Sequence, residues 1–173
     1  MLYTIRKDKE YKKIVKDIFR NVEFKKLCNI EHHGISRMEH SIKISYYSYR
    51  IAKKLGMDYV SVARGGLLHD FFLDGDERNR KRKFLDTFVH PKKALSTSIN
   101  YFNVNEIEKN IIVSHMFPIY LSLPKYKESI LVNLVDKVIG GFELFNEYRY
   151  RCRYNFNYLL VLMVIFMKTN YKL

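Results

Sequence analysis

Apolar side chains recur along this chain at three- and four-residue intervals, the spacing of helices that bury one face. From Lys9 to Leu27 that spacing collects Ile14, Val15, Ile18, Phe19 and Val22, with Lys12, Lys13, Lys16 and Arg20 opposite, and predicts a first helix. The second helix has a legible start. Ser36-Arg37-Met38-Glu39 fits a capping box, in which Ser36 holds the backbone N–H of Glu39 and Glu39 returns to Ser36. It should run to about Leu55, where Gly56 supplies a left-handed stop. Asp58 can cap a third helix carrying Val60, Val62, Ala63, Leu67 and Leu68 and ending near His69-Asp70.

Asp74 to Lys83 reads as a charged loop, and His90-Pro91 as the opening of a helix that ends near Phe102-Asn103, because proline suits a first turn. Asn105 with Glu108 is a second capping box and starts a helix through Ile111, Ile112 and Val113 to His115. Pro118 and Pro124 bound a loop. A long helix from Lys127 to Phe145 and a separate last helix from Phe156 to Met167 complete the expectation. The fold class is all-α: one domain, a helical bundle. It divides into a basic N-terminal helix packing on the core (1–31), the core itself (32–145) and an apolar C-terminal helix that is part of the same domain (146–173).

Charge adds a partner class. Lys and Arg number 31 against 18 Asp and Glu, a net +13, which points to a polyanion: nucleotide, nucleic acid or anionic membrane surface. The same composition, rich in Lys, Asn, Ile, Tyr and Phe, is also what an A/T-biased genome produces. Cys28 and Cys152 have no Cys-x-x-Cys spacing and read as free thiols of a reducing compartment. Met1 to Lys13 is charged and offers no secretory core. The apolar run Tyr158–Met167 falls short of the about 20 residues that cross a bilayer. A cytoplasmic protein without a membrane span is expected.

Candidate chemistry centres on Gly65-Gly66-Leu67-Leu68-His69-Asp70-Phe71-Phe72. An imidazole and a carboxylate buried side by side need a partner, since burying either alone costs several kcal/mol. His40 lies one turn into the capped helix, His90 opens a helix, His115 closes one, and Asp136 sits inside an apolar stripe. The intervals are helix-plus-loop lengths, so successive helices each offer a ligand, and in an antiparallel array their ends can converge. Neutral imidazoles and carboxylates are the donors that Fe, Mn, Co, Ni or Zn favour, and a cation removes the penalty of burying Asp70 and Asp136.

The ordered set His40, His69-Asp70, Asp136 resembles the signature of the HD-domain superfamily of metal-dependent phosphohydrolases. His90 and His115 match its binuclear branch. That resemblance covers about residues 32 to 140. It implies two divalent transition-metal ions (Fe, Mn or similar, with Mg or Zn as alternatives), one on His40, His69, Asp70 and Asp136, the other on His90 and His115 with Asp70 bridging. It also implies hydrolysis of a phosphoester or phosphoanhydride, in a nucleotide or dinucleotide, by a metal-activated hydroxide. A minority of the superfamily instead holds two irons and activates O₂, and a third reading is a non-catalytic binder of nucleic acid or membrane.

This chain departs from the family at Phe71-Phe72-Leu73-Asp74-Gly75, where a Gly-Lys often follows His-Asp. It has no Gly-Tyr-Pro motif, and Met116 follows His115, so cyclic-dinucleotide hydrolysis is not implied. Arg37, three residues before His40 on the same helix face, suits either a phosphate or a nearby carboxylate. Lys137 is a second phosphate candidate. Asp74 is placed either to protonate a leaving group or to cap a loop. Lys81-Arg82-Lys83 and Lys92-Lys93 would rim the site or merely be solvated.

Overall fold

The computed structural model describes residues 5, 7–32, 34–73 and 80–171, with backbone alone at 32, 80–88, 156 and 159–171. The described chain is all-α, as the spacing predicts. Its elements are α1 (Lys9–Ile14), α2 (Lys16–Arg20), α3 (Val22–Lys25), a 3-10 turn (Lys26–Asn29), the two-residue strands β1 (Glu31–His32) and β2 (Ile35–Ser36), α4 (Arg37–Lys54), α5 (Tyr59–Leu68), α6 (Arg80–Tyr101), α7 (Glu106–Ser114) and α8 (Lys127–Tyr171).

The first expected helix is instead broken into short pieces. Asn21 adopts an extended backbone and its side chain accepts the Phe24 N–H at 3.0 Å, a local bond that competes with continuing the helix. Tyr11, Val15, Ile18, Phe24 and Leu27 still enter the main core with Tyr46, Tyr49, Leu67 and Phe71. Val22, expected on the apolar face, is exposed. The basic side chains Lys12, Lys13, Lys16 and Arg20 all face solvent.

Ser36 caps α4 as expected, accepting the Glu39 N–H at 3.1 Å, whereas the Glu39 carboxylate pairs with Lys43 at 3.0 Å. Gly56 has φ +64°, the left-handed geometry for which glycine is suited. Asn105 and Glu108 form the complete capping box of α7, at 2.8 and 3.1 Å. Two expectations fail. Pro91 lies inside α6, buried, one residue beyond a histidine engaged with other helices. The helices expected at 127–145 and 156–167 are one continuous α8; no proline or glycine interrupts residues 142 to 171.

Helix directions decide where the site sits. Asn105 Nδ2 donates to Ser61 Oγ at 2.9 Å, tying the starts of α5 and α7 together. At their other ends the rings of His69 and His115 lie 4.9 Å apart. These two helices therefore run parallel, with α6 returning the chain between them, as alternate members of an antiparallel array do. Glu128 in the first turn of α8 accepts the Asp58 N–H at 3.1 Å, so α8 starts at that same end. α4, like α6, runs against α5. A Cβ on Gly66 would lie 3.0 Å from Ser45 Cα, a backbone approach that only glycine allows without a shift. The start of α4, the ends of α5 and α7, and the third turn of α8 thus meet in one place.

Candidate metal centre

Two helices present their candidate ligands by the same local device. His69 and His115 occupy the C-cap positions of α5 and α7. Each ring folds back so that Nδ1 donates to the carbonyl three residues earlier, Gly66 at 2.8 Å and Ile112 at 2.7 Å. That fixes the Nδ1–H tautomer and leaves Nε2 with a lone pair aimed inward. Asn133 on α8 holds the α7 terminus from outside: its amide lies within 2.7–3.0 Å of the Ser114, His115 and Phe117 carbonyls.

The inward atoms form two overlapping groups. His40, His69 and Asp136 converge, as do His69, Asp70 and His115, each set within 4.8 Å. His69 Nε2 stands 3.8 Å from both Asp70 Oδ2 and Asp136 Oδ1. The other Asp70 oxygen, Oδ1, is 3.5 Å from His90 Nε2 and 3.5 Å from His115 Nε2, and those two nitrogens are 3.0 Å apart. Separations of this size are what donors about 2.0–2.2 Å from a shared cation require. His69 Nε2 supplies the test of fit. It is buried without a hydrogen-bond partner while facing two carboxylates, an arrangement that a cation, and not a proton donor, completes.

His40 is held differently. Its Nε2 meets Asp136 Oδ1 at 3.1 Å and its Nδ1 meets Glu143 Oε2 at 2.7 Å. Burial alone would lower this imidazole's pKa; the bonds to Asp136 and Glu143 and the Asp70 charge outweigh it and raise it to about 10. His115 moves the other way. Burial, then the neighbouring His69 and His90 rings, against the Asp70 and Asp136 charges, push it down to about 3, so it is a neutral donor. Burial would raise the Asp136 carboxyl, but the His40 bond and the surrounding imidazoles hold it below the usual range.

The remaining expected residues divide. Arg37 is buried; its Nη1 donates to the Phe72 carbonyl at 2.8 Å and its guanidinium lies 3.9 Å over the Phe72 ring. That ring stacks on His90 at 5.4 Å between centroids. Arg37 thus engages the segment just after His69-Asp70. Lys137 reaches the His115 carbonyl at 3.3 Å, on the rim of the ligand set, and burial lowers its pKa against the Asp136 charge. Asp74 lies outside the described residues, and the side chains of Lys81, Arg82 and Lys83 are likewise not described. Lys92 is exposed and Lys93 partly so.

Sequence reasoning missed Glu143. It lies seven residues after Asp136, two turns along the same face of α8, and that spacing was its only signal. Between them Gly140 faces the imidazole: a Cβ there would sit 4.0 Å from His40 Cε1.

The HD domain family's sequence profile matches residues 37–140, more than half the chain, from the first residue of α4 to just past Asp136. The chain belongs to the HD domain family. That places it in a superfamily of metal-dependent phosphohydrolases whose members bind divalent metals, and the His/Asp groups here could hold such ions. No curated protein and no solved structure matches the chain. Among the described residues, no helix is long and apolar enough to cross a membrane.

Proposed function

We propose that this chain is a phosphohydrolase that cleaves a phosphoester or phosphoanhydride bond in a nucleotide or dinucleotide, using two divalent transition-metal ions. His40, His69 and Asp136 hold one ion, His90 and His115 the other, and Asp70 bridges them. One observation carries the reading: the two oxygens of Asp70 are divided, Oδ2 toward His69 and Oδ1 toward His90 and His115. A carboxylate serving one ion or one hydrogen bond has no reason to stand between two imidazole groups in this way.

When bound, such ions supply a low-pKa water and charge neutralisation at phosphorus. The chain's own contribution is placement. Backbone carbonyls lock the Nε2 faces of His69 and His115, and Arg37 steadies Phe72, which packs on His90. Lys137, on the rim, brings positive charge to an entering phosphoryl group. The net charge of +13 favours anionic substrates in general.

The test is metal analysis of freshly purified protein, followed by phosphate release from a panel of nucleotides and dinucleotides with and without Mn²⁺ or Fe²⁺. Close to two ions per chain and metal-dependent release are expected. Full activity after exhaustive chelation, or no release from any phosphorylated compound, would overturn the reading.

A further inference from the structure

We infer that Glu143 is a positioning residue that sets the affinity of the ion on the His40 side. The inference rests on the two-ion reading above and concerns a residue outside the ligand set. His69 and His115 are each oriented by a main-chain carbonyl, which is neutral and cannot be altered by side-chain replacement. His40 alone of these three has an acidic side chain on its outward nitrogen, at 2.7 Å.

The placement around Glu143 is specific. Its Oε2 takes His40 Nδ1 and its Oε1 takes Lys43 Nζ at 3.0 Å, so both oxygens are committed and the carboxylate cannot rotate freely. Lys43 is itself tied to Glu39 on the same helix as His40. Burial would raise the Glu143 carboxyl, but its His40 and Lys43 contacts hold it below the usual range. On α8, Asp136, Gly140 and Glu143 lie on one face. His40 lies across that face with its Cε1 over Gly140, one nitrogen on the ligand carboxylate and the other on Glu143.

Two consequences follow for a cation. A carboxylate on the far nitrogen fixes which nitrogen faces the ion and makes the imidazole a stronger donor; removal of such partners lowers metal affinity by about 10–100-fold. Glu143 also adds a negative charge close to the His40 side, so its effect falls on the ion held by His40, His69 and Asp136 and not on the one held by His90 and His115.

The experiment titrates chelated, full-length protein with Mn²⁺ against a chromogenic competitor. Wild type should bind two ions. Glu143→Leu should weaken one of them about 10–100-fold and leave the other within a factor of about three. Glu143→Gln, which keeps shape and an acceptor oxygen without the charge, should fall between. Proton NMR should show a slowly exchanging imidazole N–H in wild type that Glu143→Leu loses and Glu143→Gln keeps. If Glu143→Leu does not fold, Glu143→Gln alone decides, by a shift of one ion and not the other. No shift in either ion, or equal shifts in both, would overturn the inference. Wild type binding no Mn²⁺ would instead overturn the two-ion reading, which separates the two failures.

Discussion

The two most perturbed histidines pull stability in opposite directions with pH. In the metal-free chain His40 rises from 6.5 to about 10. A raised pKa stabilises the fold fully below the unfolded value, and that contribution is lost as pH climbs from about 6.5 through 10. His115 falls from 6.5 to about 3. There the unfolded chain takes up a proton that the folded chain refuses, so stability drops as pH falls from about 6.5 toward 3. Asp136 and Glu143, both depressed, lose their contribution in acid as they protonate. A tenfold change in proton affinity between the folded and unfolded chain is worth about 1.4 kcal/mol, so each limb amounts to roughly 3–5 kcal/mol, and the chelated protein should be most stable near pH 6.5. The assay is urea unfolding of chelated wild type and His40→Gln at pH 6.5, 8.0 and 9.5. Net charge changes alike in both, so their difference isolates His40. With an m-value of about 1–3 kcal/mol per molar, the wild-type advantage should shrink by at least about 1 M urea between pH 6.5 and 9.5. Midpoints that run parallel across that range would refute the claim that His40 is held charged between two carboxylates.

Other expectations follow from single contacts. A Cβ on Gly65 would lie 2.8 Å from Ile111 Cδ1 and 3.1 Å from its Cβ and Cγ2, and Ile111 is fully buried. Gly65→Ala should cost about 1–3 kcal/mol by chemical denaturation despite its better helix propensity, and less in an Ile111→Val background; additive losses would show that the helices slide apart freely. Asn133→Ala strips the amide from the end of α7 and should lower stability by about 1–3 kcal/mol, while also weakening Mn²⁺ binding on the His115 side. Asp70→Asn keeps shape but offers one neutral oxygen instead of two charged ones. It should lose at least one Mn²⁺ equivalent by metal analysis and slow phosphate release by on the order of 10²-fold.

Much of this candidate site was legible because several of its residues mark helix ends. His69 and His115 stand where apolar spacing stops, and the Asn105–Glu108 box announces the helix that carries His115. Asp136 showed as a carboxylate in an apolar stripe. Glu143 did not, because nothing in its own stretch, Phe142-Glu143-Leu144-Phe145, says that α4 is laid against it. The course of α8 was equally hidden: the stretch after His115 cannot say that the chain returns to the start of α5 before α8 begins. Pro91 misled because its cost to a helix is local, whereas His90 beside it is held by Asp70 and His115, residues far away in sequence. Arg37 sits on the His40 face as expected, but its neighbour across the gap is Phe72, which no helical periodicity could supply.

The folding-back of His69 and His115 onto their own helices has a use beyond this protein. Each ring takes its orientation from a carbonyl three residues earlier, so the instruction travels with a four-residue segment and needs no outside partner. A histidine closing a helix is in that sense a prefabricated donor, with its coordinating nitrogen chosen before any other helix arrives. Transplanted to the end of a helix in an unrelated scaffold, it should keep the same nitrogen forward, leaving a designer only the task of bringing two such ends together.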